Sequence, residues 1–155
     1  MKGLSLQPKS CIKIMVKNIS SIIINAPIQK VWDTVTQPAL VKQWQFGSDL
    51  ITDWKIGSEI RFRSEWNNQI FEQWGIVKDI RLHEYIQYSL FAPGSGREDI
   101  PENYFTMNYN FSSENGKTKL VIIQDDNRSG AVQEAPQGEE NPVLSSLKAV
   151  AEAAD

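Results

Sequence analysis

The sequence predicts an α+β domain: an antiparallel sheet of about six to seven strands, two short helices after the first strand, and a long helix at the C-terminus. Three observations carry this. An N-terminal run of β-branched alternation gives way near Asn25 to a 3.6-residue apolar repeat, the repeat drops to two residues beyond Gly47, and helical spacing returns after Asn141. No internal repeat or linker divides the 155 residues, so one domain over 1–155 is expected, with residues 1–10 as a flexible arm.

Each element has a local reason. "CIKIMVKNISSIIIN" places Ile12, Ile14, Val16, Ile22 and Ile24 on one phase, a long strand with a register break expected near Asn18. Asn25 is an expected helix cap and Pro27 suits a first turn, where its missing N–H costs nothing. Ile28, Val31, Trp32 and Val35 then form one buried face. Pro38 pushes Gln37 out of the α region, so a second short helix carrying Leu40, Val41 and Trp44 begins there. "IRFRSEW" puts Ile60, Phe62, Ser64 and Trp66 on one face and Arg61, Arg63 and Glu65 on the other, and "NNQ" reads as a hairpin turn.

Residues 70–80 are apolar on both phases, which leaves the inward face of that strand open. Ile86, Tyr88 and Leu90 alternate next, and residues 92–103 read as an exposed loop. Phe105, Met107, Tyr109 and Phe111 share a face, "SENGK" turns the chain, and Leu120, Ile122 and Gln124 share the face of the strand that follows. Residues 125–141 are a polar loop longer than the usual 12 to 15 residues, a length that points to function or disorder. Asn141 caps and Pro142 opens the last helix, with Leu144, Leu147, Ala151 and Ala154 on one side.

Composition removes several function classes. A net charge of −3 with scattered Lys and Arg gives no basic stripe for phosphates, so no nucleic-acid partner is expected. Apolar runs such as Ile22 to Ile24 are far short of the ~20 residues of a membrane span. A single cysteine, Cys11, and the lack of a signal-peptide pattern fit a cytoplasmic chain. His83 is the only histidine and reads as a surface or hairpin residue; no clustered ligand spacing accompanies it, so neither metal nor cofactor is expected. "GSGRED" lacks the lysine of a phosphate loop, no G-x-S-x-G elbow occurs, and the acidic pairs at 125–126 and 139–140 read as solvated loop ends. No catalytic residue is therefore assigned.

Fifteen aromatic residues, five of them Trp, form the one unusual constellation. Taken singly each is best read as core, but together they have the character of a small-molecule pocket, apolar bulk with a few polar groups. The cavity candidates are Phe62, Ser64, Trp66, Tyr88, Phe91, Tyr109, Gln124, Leu144 and Leu147, while Pro27, Trp32, Pro38 and Trp44 are structural anchors of the helix pair.

The strand-to-helix entry formed by Ile24, Ala26, Pro27, Val31 and Trp32, followed by Thr36, Pro38 and Trp44, resembles the START-like or Bet v 1-like helix-grip superfamily, also called SRPBCC. "DWKIGSEIRFR", "GIVKDI" and "GKTKLVIIQ" resemble the branch similar to the C-terminal domain of the activator of the heat-shock-protein-90 ATPase. Gln45, Ser58 and Leu82 depart from that branch, and the Gly-Trp that often opens its last helix is absent. The resemblance implies a curved sheet gripping the C-terminal helix, with a cavity between them.

Three functions follow as expectations. The first is non-catalytic binding of a small lipophilic or aromatic molecule in that cavity. The second, from the resemblance alone, is a stress-response role as co-chaperone of a heat-shock-protein-90-type ATPase. The third is a cyclase or hydrolase using the same cavity, for which Glu72 and Tyr88 are the available groups. The oligomeric state stays open, a dimer included.

Overall fold

A computed structural model describes residues 15–94 and 96–153. In chain order the elements are β1 (Val16–Ile24), α1 (Ile28–Thr36), α2 (Pro38–Trp44), β2 (Asp49–Ile51), β3 (Glu59–Trp66), β4 (Gln69–Arg81), β5 (Tyr85–Leu90), β6 (Phe105–Glu114), β7 (Lys117–Asp126) and α3 (Pro142–Glu152), with a 3-10 turn at Pro101–Asn103. Among the described residues the seven strands form one antiparallel sheet, ordered β1-β7-β6-β5-β4-β3-β2. The three helices pack on one another, and α1 and α3 also pack on the sheet. Ile22, Ile24, Val31, Ile60, Val77, Ile86, Leu120 and Leu147 form the centre of the core between them. The expected arm at residues 1–10, Cys11, the first turn of the alternation at 12–14 and Ala154 lie outside the described residues.

The break between α1 and α2 falls at Gln37, whose φ of −85° and ψ of 125° end one helix and start the next. Had the helix continued, the N–H of residue 38 would have bonded the Thr34 carbonyl; proline has none to give. The Trp44 indole takes its place, donating to Thr34 O at 2.7 Å, and the Trp54 indole donates to Thr36 O at 2.9 Å. Two tryptophans thus satisfy carbonyls that the break would leave orphaned in a buried setting. Trp32 anchors α1 to the sheet instead, its ring 5.1 Å from Phe111 and edge-on to His83 at 5.8 Å.

Two expectations at the N-terminal side are corrected. Asn25 does not cap α1: Pro27 occupies the cap position without a side-chain bond, and its carbonyl accepts from Lys30 and Val31. The Asn25 N–H is used to dock α3, donating to the Glu152 carboxylate at 2.7 Å. Nor does β1 break near Asn18. Its register against β7 runs unshifted from Val16↔Asp126 to Ile24↔Thr118. The polar residues Asn18 and Ser20 sit on the same phase as Ile22 and Ile24 because that end of the sheet faces a polar hollow, described below.

The ambiguous strand is resolved by a bulge. β4 pairs β5 at Val77↔Tyr88 and then at Asp79↔Gln87, so one extra residue shifts the phase. Gly75 and Val77 are buried before it, and Ile80 packs against the core after it. A strand that changes phase must read as apolar on both. Both sequence-predicted tight hairpins carry left-handed pairs, Asn67-Asn68 at φ 54° and 63° and Asn115-Gly116 at φ 52° and 81°.

The C-terminal helix is eleven residues, about 16 Å. Asn141 caps it as expected, its Oδ1 accepting from Val143 N at 2.8 Å and Leu144 N at 3.3 Å. Leu144, Leu147 and Ala151 point inward, and Lys148 ties the helix to the Ile23 carbonyl at 2.8 Å and to Glu152 at 2.7 Å. The long loop before it is ordered on the sheet edge: Ser21 N donates to Gln137 O at 2.9 Å and Gln137 N to Ile19 O at 3.0 Å. This covers the outer edge of β1, which would otherwise present unpaired backbone.

Candidate functional site

Between the inner face of the sheet and the first turn of α3 lies a cavity of about 390 Å³. Its wall includes Phe62 of β3, Tyr88 of β5, Tyr109 of β6, Ile122 and Gln124 of β7, Trp44 of α2, and Leu144 of α3. No ionisable carboxylate, amine, guanidinium or imidazole is among its lining residues; the polar groups are hydroxyls and amides, among them Ser20, Gln45, Gln73, Gln124 and Asn141. This volume lies within the range of small-molecule sites, and its lining combines apolar side chains with neutral hydrogen-bonding groups.

Two phenols form its polar centre. The Tyr88 and Tyr109 hydroxyls lie 3.2 Å apart, with rings stacked at 5.9 Å, and the residues are only 3 % and 4 % exposed. One hydroxyl donates to the other, which leaves one O–H hydrogen with no acceptor among the described residues. Burial pushes the Tyr88 phenol well above its usual range, with the neighbouring Tyr109 adding to it, and burial raises Tyr109 as well. Both therefore stay protonated, and the pair acts as a neutral hydrogen-bonding post inside a wall without charged groups. Phe62 at 5.9 Å and Trp54 at 6.3 Å flank the Tyr88 ring.

Of the sequence candidates, Phe62, Tyr88, Tyr109, Gln124 and Leu144 come together around this space. Ser64 lies further along β3, in an adjoining hollow of about 580 Å³ that shares Phe62 and Gln73 with the cavity. Leu147 is fully buried core on the inner side of α3. Two candidates lie elsewhere. Trp66 has the inward phase but is 72 % exposed, because the β3–β4 hairpin runs past the covered part of the sheet. Phe91 falls one residue out of phase with Tyr88 and Leu90, so it packs on the opposite face against Trp74 at 5.6 Å and Tyr104 at 5.5 Å. Glu72, the acid considered for an enzyme, pairs with Arg61 at 3.3 Å and is absent from the central wall.

Sequence reasoning missed the amides Gln45 and Gln73 and the indole of Trp54. The glutamines sit where helical and strand patterns read only as polar surface. Trp54 lies outside any periodic pattern, and only the fold shows it held at φ 60° with its indole bonded to the Thr36 carbonyl. Among the described residues no group of three or more His, Cys, Asp or Glu could hold a metal ion. His83 sits in the β4–β5 hairpin, as expected, and no described helix is long and apolar enough to cross a membrane.

Comparison with known proteins agrees with this fold. A model of the family described as Activator of Hsp90 ATPase homolog 1-like protein matches residues 25–152. The solution structure of ChR145 from Cytophaga hutchinsonii is 31 % identical, covers 77 % of this chain and 82 % of its own, and superposes with a TM-score of 0.66. PFC0360w, an HSP90 activator from Plasmodium falciparum, shares the fold at 16 % identity and a TM-score of 0.59 over 75 % of this chain and 76 % of its own. Ara h 8.0201 does so at 9 % identity and a TM-score of 0.65 over 89 % of this chain and 98 % of its own. No curated protein sequence matches the chain.

Proposed function

The chain belongs to the Activator of Hsp90 ATPase homolog 1-like family of helix-grip proteins, and from that premise we propose that it binds a small, uncharged hydrophobic or aromatic molecule in the cavity between sheet and α3, without catalysis. The observation that carries this reading is the Tyr88–Tyr109 pair: two protonated phenols buried in a wall with no ionisable acid or base, one of them holding an unspent donor. Such a pair can hold a carbonyl or hydroxyl of a flat ligand, and it has no charge with which to drive proton transfer at neutral pH.

Titration with a panel of aromatic ketones and phenols is expected to give saturable quenching of tryptophan fluorescence, because Trp44 lines the cavity and Trp54 borders it. The double variant Tyr88→Phe, Tyr109→Phe is expected to weaken those ligands about tenfold, the worth of roughly one buried hydrogen bond, while binding a hydrocarbon of the same shape unchanged. A panel with no saturable quench would remove the proposal.

The exposed apolar tip of the β3–β4 hairpin favours a second reading, contact with a chaperone of the kind the family is described by. Trp66 is 72 %, Ile70 54 % and Phe71 49 % exposed. Stimulation of a heat-shock-protein-90-type ATPase by the chain, lost in Trp66→Ala, Phe71→Ala, is the result expected on that reading, and no stimulation ends it.

A further inference from the structure

Beside the central cavity lies a second hollow of about 410 Å³, under the loop that follows β7. Ser20, Met107, Ile122, Gln124 and Asn141 belong to both walls, so the two spaces meet along the inner face of β7. The strand register gives their spacing. Tyr88, Met107, Gln124 and Asn18 are cross-strand partners in one row, and two strand intervals from Tyr88 to Gln124 make about 10 Å. That is the length of a fused aromatic pair with a short substituent.

One ion pair of this hollow is closed on itself. Arg97, Arg128, Asp126 and Glu134 line the wall, two of each sign. Arg128 is bidentate to Asp126, Nε to Oδ1 at 2.8 Å and Nη2 to Oδ2 at 2.7 Å, with its guanidinium 4.4 Å above the Phe105 ring. Arg97 donates to the Ser129 carbonyl at 2.7 Å. The Arg128 fork, which could have bound an anion, is therefore occupied by the protein. Beside it two neutral groups are available: the Gln124 side chain, whose Oε1 has no donor among the described residues, and the Ser20 hydroxyl. The roof is fixed to β1 through Glu134 N to Asn18 Oδ1 at 2.7 Å as well as through Gln137.

We propose that this hollow is the polar subsite of the binding trough, and that it takes the uncharged hydroxyl- or amide-bearing end of a ligand whose aromatic end lies at Tyr88 and Tyr109. The proposal rests on the ligand-binding reading above and adds a rule of selection: a neutral polar substituent that can reach Gln124 and Ser20 is preferred to a bare hydrocarbon.

The full chain is titrated with two probes that share one ring system, namely ethylnaphthalene and naphthylethanol. Naphthylethanol is expected to bind at least tenfold more tightly than ethylnaphthalene. Gln124→Leu, which removes the amide at similar volume and keeps both Arg128 bonds to Asp126, is expected to lower naphthylethanol affinity at least fivefold without weakening ethylnaphthalene. Equal binding of both probes, unchanged in Gln124→Leu, would overturn the subsite and leave the cavity reading standing. Failure of ethylnaphthalene itself to bind would remove the cavity reading, and the subsite with it.

Discussion

Replacing Gly75 with alanine is expected to destabilise the protein by about 3 kcal/mol, the upper part of the range for overpacking a closed site. The ordinary sign of this substitution is the opposite. A glycine inside a strand is an entropic weakness, and alanine where the backbone can accept it stabilises by about 0.4–1 kcal/mol. At Gly75 a Cβ would sit 1.8 Å from the Ser89 carbonyl oxygen and 2.5 Å from its carbon, atoms of backbone that no rotamer change can move. The sheet is drawn together here: Trp74 and Phe91 exchange both backbone bonds, Ile76 N turns to the Ser89 hydroxyl at 3.2 Å, and regular pairing resumes at Val77. Urea unfolding monitored by tryptophan emission measures the loss; for a domain of this size it corresponds to a fall in Tm of about 6–12 °C. Because Ser89 follows Tyr88, the displacement that relieves the clash also moves the phenol pair, so ligand affinity is expected to fall with stability. Unchanged or increased stability would show that β5 yields freely at this point.

How much of this was legible in the sequence depends on how local the cause is. The two helices and their boundary were, because proline acts on its own residue and the one before it; Pro38 and Gln37 needed no tertiary information. The asparagine hairpins and the Asn141 cap are likewise set by neighbours within four residues. What failed was non-local. Nothing near Asn25 says that its N–H will be claimed by Glu152, 127 positions away. The bulge in β4 leaves a sequence trace, the doubled apolar phase, but not its position, which is fixed by pairing with β5.

The site was legible by phase and illegible by extent. Alternation alone put Phe62, Tyr88, Tyr109 and Gln124 on the inner face, and the structure brings them into one wall. Alternation also put Trp66 there, since phase says which way a side chain points and not whether anything covers it. Phe91 failed for the complementary reason: the apolar run continues past the end of β5, and its last residue serves the other face. Asn18 and Ser20 looked like an interruption of a strand, when they are the inward residues of a strand that leaves the core for a polar hollow. A polar pair on an otherwise apolar phase was the one sequence trace of that hollow.

Replacing Arg128 with methionine is expected to cost about 3 kcal/mol at neutral pH, because removing one partner of a buried pair leaves the other charge uncompensated. The side chains of Asp126 and Arg128 are 6 % and 17 % exposed, and both guanidinium bonds to the carboxylate are short. Hydrogen bonding from Arg128 holds the Asp126 carboxyl below its usual range against the opposing effect of burial. A carboxyl whose pKa is lower folded than unfolded contributes stability that is present above about pH 4 and is lost as pH falls through the folded value. In Arg128→Met the two guanidinium bonds are gone, while the N–H of residue 128 and the Gln124 amide still donate to the carboxylate and burial remains, so the Asp126 pKa rises and its stabilising contribution shrinks. The parent protein therefore loses more stability than the variant as the carboxyl takes up its proton. The gap between the two proteins, measured by urea unfolding from pH 7 down to pH 3, is therefore expected to be widest at neutral pH and to narrow steadily on acidification. A gap that stays constant across that range would mean that Arg128 acts through its packing on Phe105 and not through the charge of Asp126.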